Sequence, residues 1–147
     1  MIKGFMYLTA LMDVYSRKIL SWAFINSQDS AWCKLVVQQV IEKYGKPEIV
    51  NSDQGSLYTS ALWVEFLQKK VVQISMDGKG RALDNIWIER FWKNGKYDYV
   101  YINPCDDGFE VDEGLQNHIE YYNQKTHHTT KQSTDDKYLN NTRKKAA

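Results

Sequence analysis

The chain has 147 residues, 43% of them hydrophobic and 25% charged, and a formal net charge of +1, which suits one packed domain and excludes a mainly disordered chain. No run approaches the ~20 consecutive apolar residues of a membrane span, and no signal peptide precedes the first strand-like run, so no membrane partner is expected. Cys33 and Cys105 are too few for a disulfide framework or a thiolate zinc site, which fits a reducing, cytoplasmic setting.

Residues 5–12 are almost wholly apolar and lack a helical cap, which predicts a strand covered on both faces. Residues 13–17 form a turn and residues 18–25 a second strand, and the short link predicts an antiparallel hairpin. Asp29 or Ser30 caps a helix in which Trp32, Val36, Val40 and Tyr44 recur at helical spacing, flanked by Leu35, Val37 and Ile41. Gly45-Lys46-Pro47 ends it. Residues 48–52 form a short strand, residues 60–70 a helix with Leu62, Trp63, Phe66 and Leu67 inward, and residues 71–75 another strand. Residues 77–81 form a basic loop, and Asp84 or Asn85 caps a helix carrying Ile86, Trp87, Ile88, Phe91 and Trp92. After an irregular aromatic stretch, residues 111–123 form a last helix with Leu115, Ile119 and Tyr122 on one face. Residues 1–124 make up the core, and residues 125–147 are expected to be a polar, fraying tail. The order β-β-α-β-α-β-α-α predicts an α/β domain, a mixed sheet flanked by helices. Trp22, Trp32, Trp63, Trp87 and Trp92 all fall at apolar positions and are expected to pack in the core. His118, His127 and His128 lack a ligand spacing, so His127-His128 is expected to be solvated.

Charge is uneven along the chain. Residues 69–96 hold seven Lys/Arg against three acids, whereas residues 97–124 hold seven acids and no Lys or Arg. Such a local basic surface suits phosphates, although two solvated faces of opposite sign are the plainer explanation. Asp53 falls at the carboxyl end of a strand, where functional groups of α/β sheets gather. Asn85, Glu89, Lys93 and Lys96 are spaced by four, four and three and share one helical face. A carboxylate beside lysines suits a divalent cation and the phosphates of a bound strand. The plainer alternative is an exposed Glu89–Lys93 ion pair contributing ~0.3–0.5 kcal/mol.

Residues 51–60, Asn-Ser-Asp-Gln-Gly-Ser-Leu-Tyr-Thr-Ser, resemble the SDxGxxYxS segment of insertion-sequence transposases related to retroviral integrases. Residues 84–92 resemble their DNxxxERFW helix, and 35 residues separate Asp53 from Glu89, as between that family's second and third acidic ligands. Residues 7–22 resemble its YLxxxxDxxSRxIxxW hairpin, and Tyr121-Tyr122-Asn123 its YYN segment. The resemblance spans residues 4–140 and implies a ribonuclease-H-like fold. It also implies DNA cleavage and strand transfer with two Mg²⁺ or Mn²⁺ ions about 3.5–4 Å apart. Asp53 and Glu89 would be the second and third ligands. Lys93 and Lys96 would meet the DNA backbone, joined by Asn85 and by Lys79 and Arg81 of the preceding loop. A second copy or an intact transposase would be a further partner.

The departures from the pattern carry expectations of their own. The family's first catalytic Asp, in a TDxT segment on a central first strand, has no counterpart here, and Met1 stands where a longer chain of the family continues. Asp13 matches the hairpin-turn Asp, where pairing with Arg17 is expected. Thr126 stands where Arg is usual, Asn94-Gly95 where a helix former and Leu are usual, and Ser133-Thr134-Asp135 where Ser/Thr-Pro is usual. Without the first strand, residues 5–12 and 48–52 lose a hydrogen-bonding neighbour; the two halves then close up, take a strand from another chain, or stay marginal. Three functions follow: an impaired metal-dependent polynucleotidyl transferase, a non-catalytic fragment binding DNA or transposase, or a decayed remnant.

Overall fold

The computed structural model of the protein describes residues 6–27, 29–52, 55–76, 86–95 and 108–146. The elements run β1 (Tyr7–Met12), β2 (Ile19–Ile25), α1 (Ser30–Tyr44), β3 (Ile49–Ser52), α2 (Ala61–Lys69), β4 (Gln73–Met76), α3 (Ile86–Asn94), α4 (Gly108–Gln124) and α5 (Thr134–Ala146). Local chemistry accounts for the boundaries. Asp29 Oδ1 accepts the Ala31 N–H at 3.0 Å and starts α1. Gly45, at φ 92°, ends it and returns its N–H to the Ile41 carbonyl at 3.0 Å. Ser60 Oγ accepts the Trp63 N–H at 3.4 Å and starts α2.

The hairpin turn is tied by Asp13, whose Oδ2 accepts the Ser16 N–H at 2.8 Å and the Ser16 hydroxyl at 2.6 Å. The expected side-chain pair with Arg17 is replaced by this Asx-type turn, because the two Ser16 donors lie within reach of a short carboxylate. Arg17 meets Asp13 through its own N–H, 2.7 Å from the Asp13 carbonyl, with φ at 65°.

The strands form two two-stranded sheets, the antiparallel hairpin β1–β2 and the pair β3–β4. In β3–β4, Ile49 to Ser52 pair in parallel with Gln73 to Met76, and α2 makes the crossover. No ladder joins β1 to β3 among the described residues, whose strands form two separate pairs.

Two compact units divide the described chain. One takes residues up to Leu11 together with Leu20–Trp87. Its apolar centre is Cys33, Val37, Val50, Trp63, Leu67 and Val72, with Leu11, Ile41 and Ile74 packed against it. Burial on α1 follows Cys33, Val36, Val37 and Val40, while Trp32 is 37% and Leu35 42% exposed. On α2, Leu62 is 60% exposed where it was expected inward. Adjacent helical residues lie about 100° apart, so seating Cys33 and Trp63 turns Trp32 and Leu62 outward.

The other unit takes Met12–Ile19 and the residues from Ile88 on. Phe91, Leu115 and Ile119 are its buried apolar residues, with Tyr122 half-buried on the face expected for α4. The stretch expected to fray carries α5, and Thr134 at its start is 2% exposed. Lys18 holds this helix through an ion pair with Asp135 at 2.8 Å, and its Nζ stands 5.2 Å from the Tyr138 ring centre. His127 is not a solvated side chain: its Nε2 lies 3.0 Å from the Tyr122 carbonyl oxygen.

Candidate active site

The α3 helix sets the direction of its charged side chains by burying one aromatic. Phe91 is 3% exposed, packed edge-on against Tyr122 at 4.9 Å and beside His118 at 6.3 Å. Glu89 and Lys93 lie two residues to either side of Phe91, about 200° around the helix from it and only about 40° from each other. Anchoring Phe91 therefore presents both side chains to solvent on one face, and both are exposed. They form no ion pair with each other, and the Glu89 carboxylate has no hydrogen-bond partner among the described residues. The plainer alternative, a Glu89–Lys93 bridge, is thus not what this helix uses.

Asp53 itself, with Lys79, Arg81, Asn85 and Lys96, lies outside the described residues. The elements on either side of Asp53 are described. Ser52, the last residue of β3, is 8% exposed, and its Oγ makes no hydrogen bond among the described residues. After Asp53 and Gln54 the chain turns on the Gly55 carbonyl, which accepts the N–H groups of Tyr58 and Thr59 at 3.0 and 3.2 Å and leads into the Ser60 cap of α2. A cavity of about 240 Å³ lies beside this loop, lined in part by Tyr7 and Thr9 of β1, Cys33 of α1, and Ser56 and Tyr58. In it the Thr9 hydroxyl stands 3.9 Å from Cys33 Sγ. Burial pushes the Cys33 thiol pKa up, and contacts with Thr9 and Tyr58 pull it back in part.

Among the described residues no three His, Cys, Asp or Glu side chains cluster to hold a metal. The donor set read from the sequence, two carboxylates, suits the hard oxygen coordination of Mg²⁺ or Mn²⁺. An exposed Glu89, without an ion pair among the described residues, is compatible with that use. Asn123, which sequence reasoning noted only within a YYN resemblance, instead holds the backbone of Ile19. Its Oδ1 accepts the Ile19 N–H at 3.0 Å and its Nδ2 donates to the Ile19 carbonyl at 3.0 Å.

Comparison with known proteins agrees with this architecture. Two families, each described as an integrase core domain, match residues 1–82 and 70–134. The chain is 33% identical over 133 residues to the transposase for insertion sequence element IS904 of Lactococcus lactis subsp. lactis (strain IL1403), covering 86% of this chain and 51% of that protein. It is 25% identical over 120 residues to the putative transposase InsK for insertion sequence element IS150 of Escherichia coli (strain K12), covering 80% of this chain and 42% of the relative. The chain thus spans about half the length of these relatives. Among solved structures it resembles the catalytic core domain of BIV integrase, with TM-score 0.76, 16% identity, 95% of this chain and 90% of that one covered. It also resembles the HTLV-2 integrase catalytic core domain in complex with magnesium, with TM-score 0.70, 20% identity, 92% and 86% covered. The fold is therefore ribonuclease-H-like. By the family match, the chain belongs to the integrase core domain family.

Proposed function

We propose that the chain is the part of a DNA transposase core that supplies two of three metal-binding carboxylates, Asp53 and Glu89, for strand cleavage and strand transfer. The observation that carries this reading is Glu89, turned outward by the burial of Phe91 and without an ion pair among the described residues, in a chain of the integrase core family. When bound, a pair of Mg²⁺ or Mn²⁺ ions supplies activation of the attacking water or 3′-hydroxyl and stabilisation of the leaving oxygen. The chain's own residues bind and orient. Asp53 and Glu89 offer oxygen donors, Lys93 and Lys96 pair with backbone phosphates, and Lys79, Arg81 and Asn85 extend that contact. Two carboxylates leave the paired-ion arrangement incomplete, so cleavage by this chain alone is weak. Assembly with a second copy or with an intact transposase belongs to the same proposal.

Retention of labelled duplex DNA is expected to fall steeply with salt. Each of Lys93→Ala and Lys96→Ala is expected to reduce the slope of log K against log salt by about 0.9, one phosphate contact each. Nicking in Mn²⁺ is expected to be slow and to vanish in Glu89→Gln. DNA affinity indifferent to both lysine substitutions, together with no nicking at any Mn²⁺ concentration, would overturn the proposal. Binding without nicking would leave a DNA-binding fragment.

A further inference from the structure

We propose that Tyr122 and Asn123, consecutive residues near the end of α4, are positioning residues for Glu89. The inference rests on the assignment of Glu89 as a ligand and adds how that side chain is held. The Tyr122 ring meets Phe91 edge-on at 4.9 Å and 66°, and it meets the His127 ring at 4.9 Å and 69°. His127 in turn sits 3.0 Å from the Tyr122 carbonyl, so the ring is gripped by α3 and by the loop after α4. Phe91 is the buried anchor of α3, and its seat fixes which way Glu89 faces.

Asn123 secures the other side. It is 9% exposed, and its amide satisfies both backbone groups of Ile19 at the start of β2, one as acceptor and one as donor, as a neighbouring strand would. The Thr134 hydroxyl lies 3.1 Å from both the carbonyl and Oδ1 of Asn123, which ties in the start of α5. Adjacent residues on a helix lie about 100° apart, so one side chain grips α3 while the next grips the hairpin. Movement of the α4 end off Ile19 carries Tyr122, and with it Phe91 and Glu89, out of place.

The amide chemistry supplies a distinctive test. Ionised Asp at position 123 has only acceptors, whereas protonated Asp has one donor and one acceptor, as Asn does. Burial raises such a carboxyl above its ordinary value of about 3.9, so protonation near pH 5 restores the pair. Hydrogen exchange of residues 86–95 in the full chain is measured for Asn123→Ala and Asn123→Asp, each against the unaltered protein at the same pH. Loss of about tenfold in protection is expected for Asn123→Ala at pH 7.5 and pH 5 alike. For Asn123→Asp the same loss is expected at pH 7.5, with recovery at pH 5. Arg17 and Lys18 on the hairpin, Asp135 on α5 and His127 beside Tyr122 also carry or take up charge nearby, and Asn123→Ala, which adds no titrating group, controls for them. Residues 49–52 and 61–69 should exchange unchanged, which separates positioning from general loosening.

Mn²⁺ binding at pH 7.5 completes the test, with loss expected in Glu89→Gln and weakening of about tenfold in Asn123→Ala. Unaltered Mn²⁺ binding in Glu89→Gln ends the ligand assignment, while the exchange data stand on their own. Unchanged exchange of α3 in Asn123→Ala, or a pH-independent Asn123→Asp, overturns the positioning role.

Discussion

Single side chains decide where this protein tolerates change. Leu67 is 0% exposed at the centre of the apolar cluster, in contrast to its helical neighbour Leu62. Leu67→Ala is expected to cost about 2–5 kcal/mol in urea unfolding, because the lost contacts leave a cavity behind, while Leu62→Ala changes little. Tyr122 reports on pH. Burial raises its hydroxyl pKa, and the Arg17 guanidinium lowers it in part. The native state thus favours the neutral phenol, and this contribution is full below the unfolded value of about 10 and lost as pH rises through the raised native value. Melting temperature should fall as pH rises above about 10, and Tyr122→Phe should flatten that decline. Cys33, 3% exposed with its thiol pKa raised by burial, should alkylate far more slowly at neutral pH in the folded protein than in urea, as peptide mapping would read.

Helix ends store the clearest local strain. The α2 helix closes with the Val72 N–H on the Leu67 carbonyl at 3.0 Å and the Val71 N–H on Gln68 at 2.9 Å. This pattern places Val71 at φ 56°, a region that glycine takes without strain and a β-branched residue does not. Val71 is 75% exposed, so its side chain has little packing to lose. Val71→Gly is expected to raise stability by about 0.5–1 kcal/mol, the left-handed strain exceeding the added entropy of glycine. Gly95, just past α3, presents the reverse case. A Cβ there would stand 3.7 Å from His118 Nε2, an ordinary contact, and Gly95 is not among the positive-φ residues. Gly95→Ala should stabilise by about 0.5–1 kcal/mol in the same unfolding assay.

On the scale of the whole molecule, the division of strands into two pairs sets the order of local stability. The β3–β4 pair lies in the cluster with Val50 at 5% exposure, whereas every residue of β1 is only half-buried. Segments with fewer buried contacts open at lower free energy. Amide exchange should therefore proceed through β1 before β3 and α2, and equal protection across the three would contradict this hierarchy. Charge acts at this scale as well. A net charge of +1 gives no overall attraction to DNA, so binding would have to come from locally basic stretches, such as residues 69–96, opposite in sign to residues 97–124.

Sequence alone determined the element order through β4 and narrowed the cap of α1 to Asp29 or Ser30, because periodicity and capping are local properties of the chain; the structure chose Asp29 and set Ser60 as the cap of α2. It also singled out Glu89 and Lys93 as neighbours on one face, since spacing fixes that for any helix. Tertiary structure decided which of two adjacent apolar residues went inward, seating Cys33 over Trp32 and Trp63 over Leu62. It also turned the polar end of the chain into α5 and used Asn123 to stand in for a strand, 104 residues from Ile19. Such choices depend on partners distant in the chain, and a polar side chain bonded to a remote backbone leaves no periodic trace.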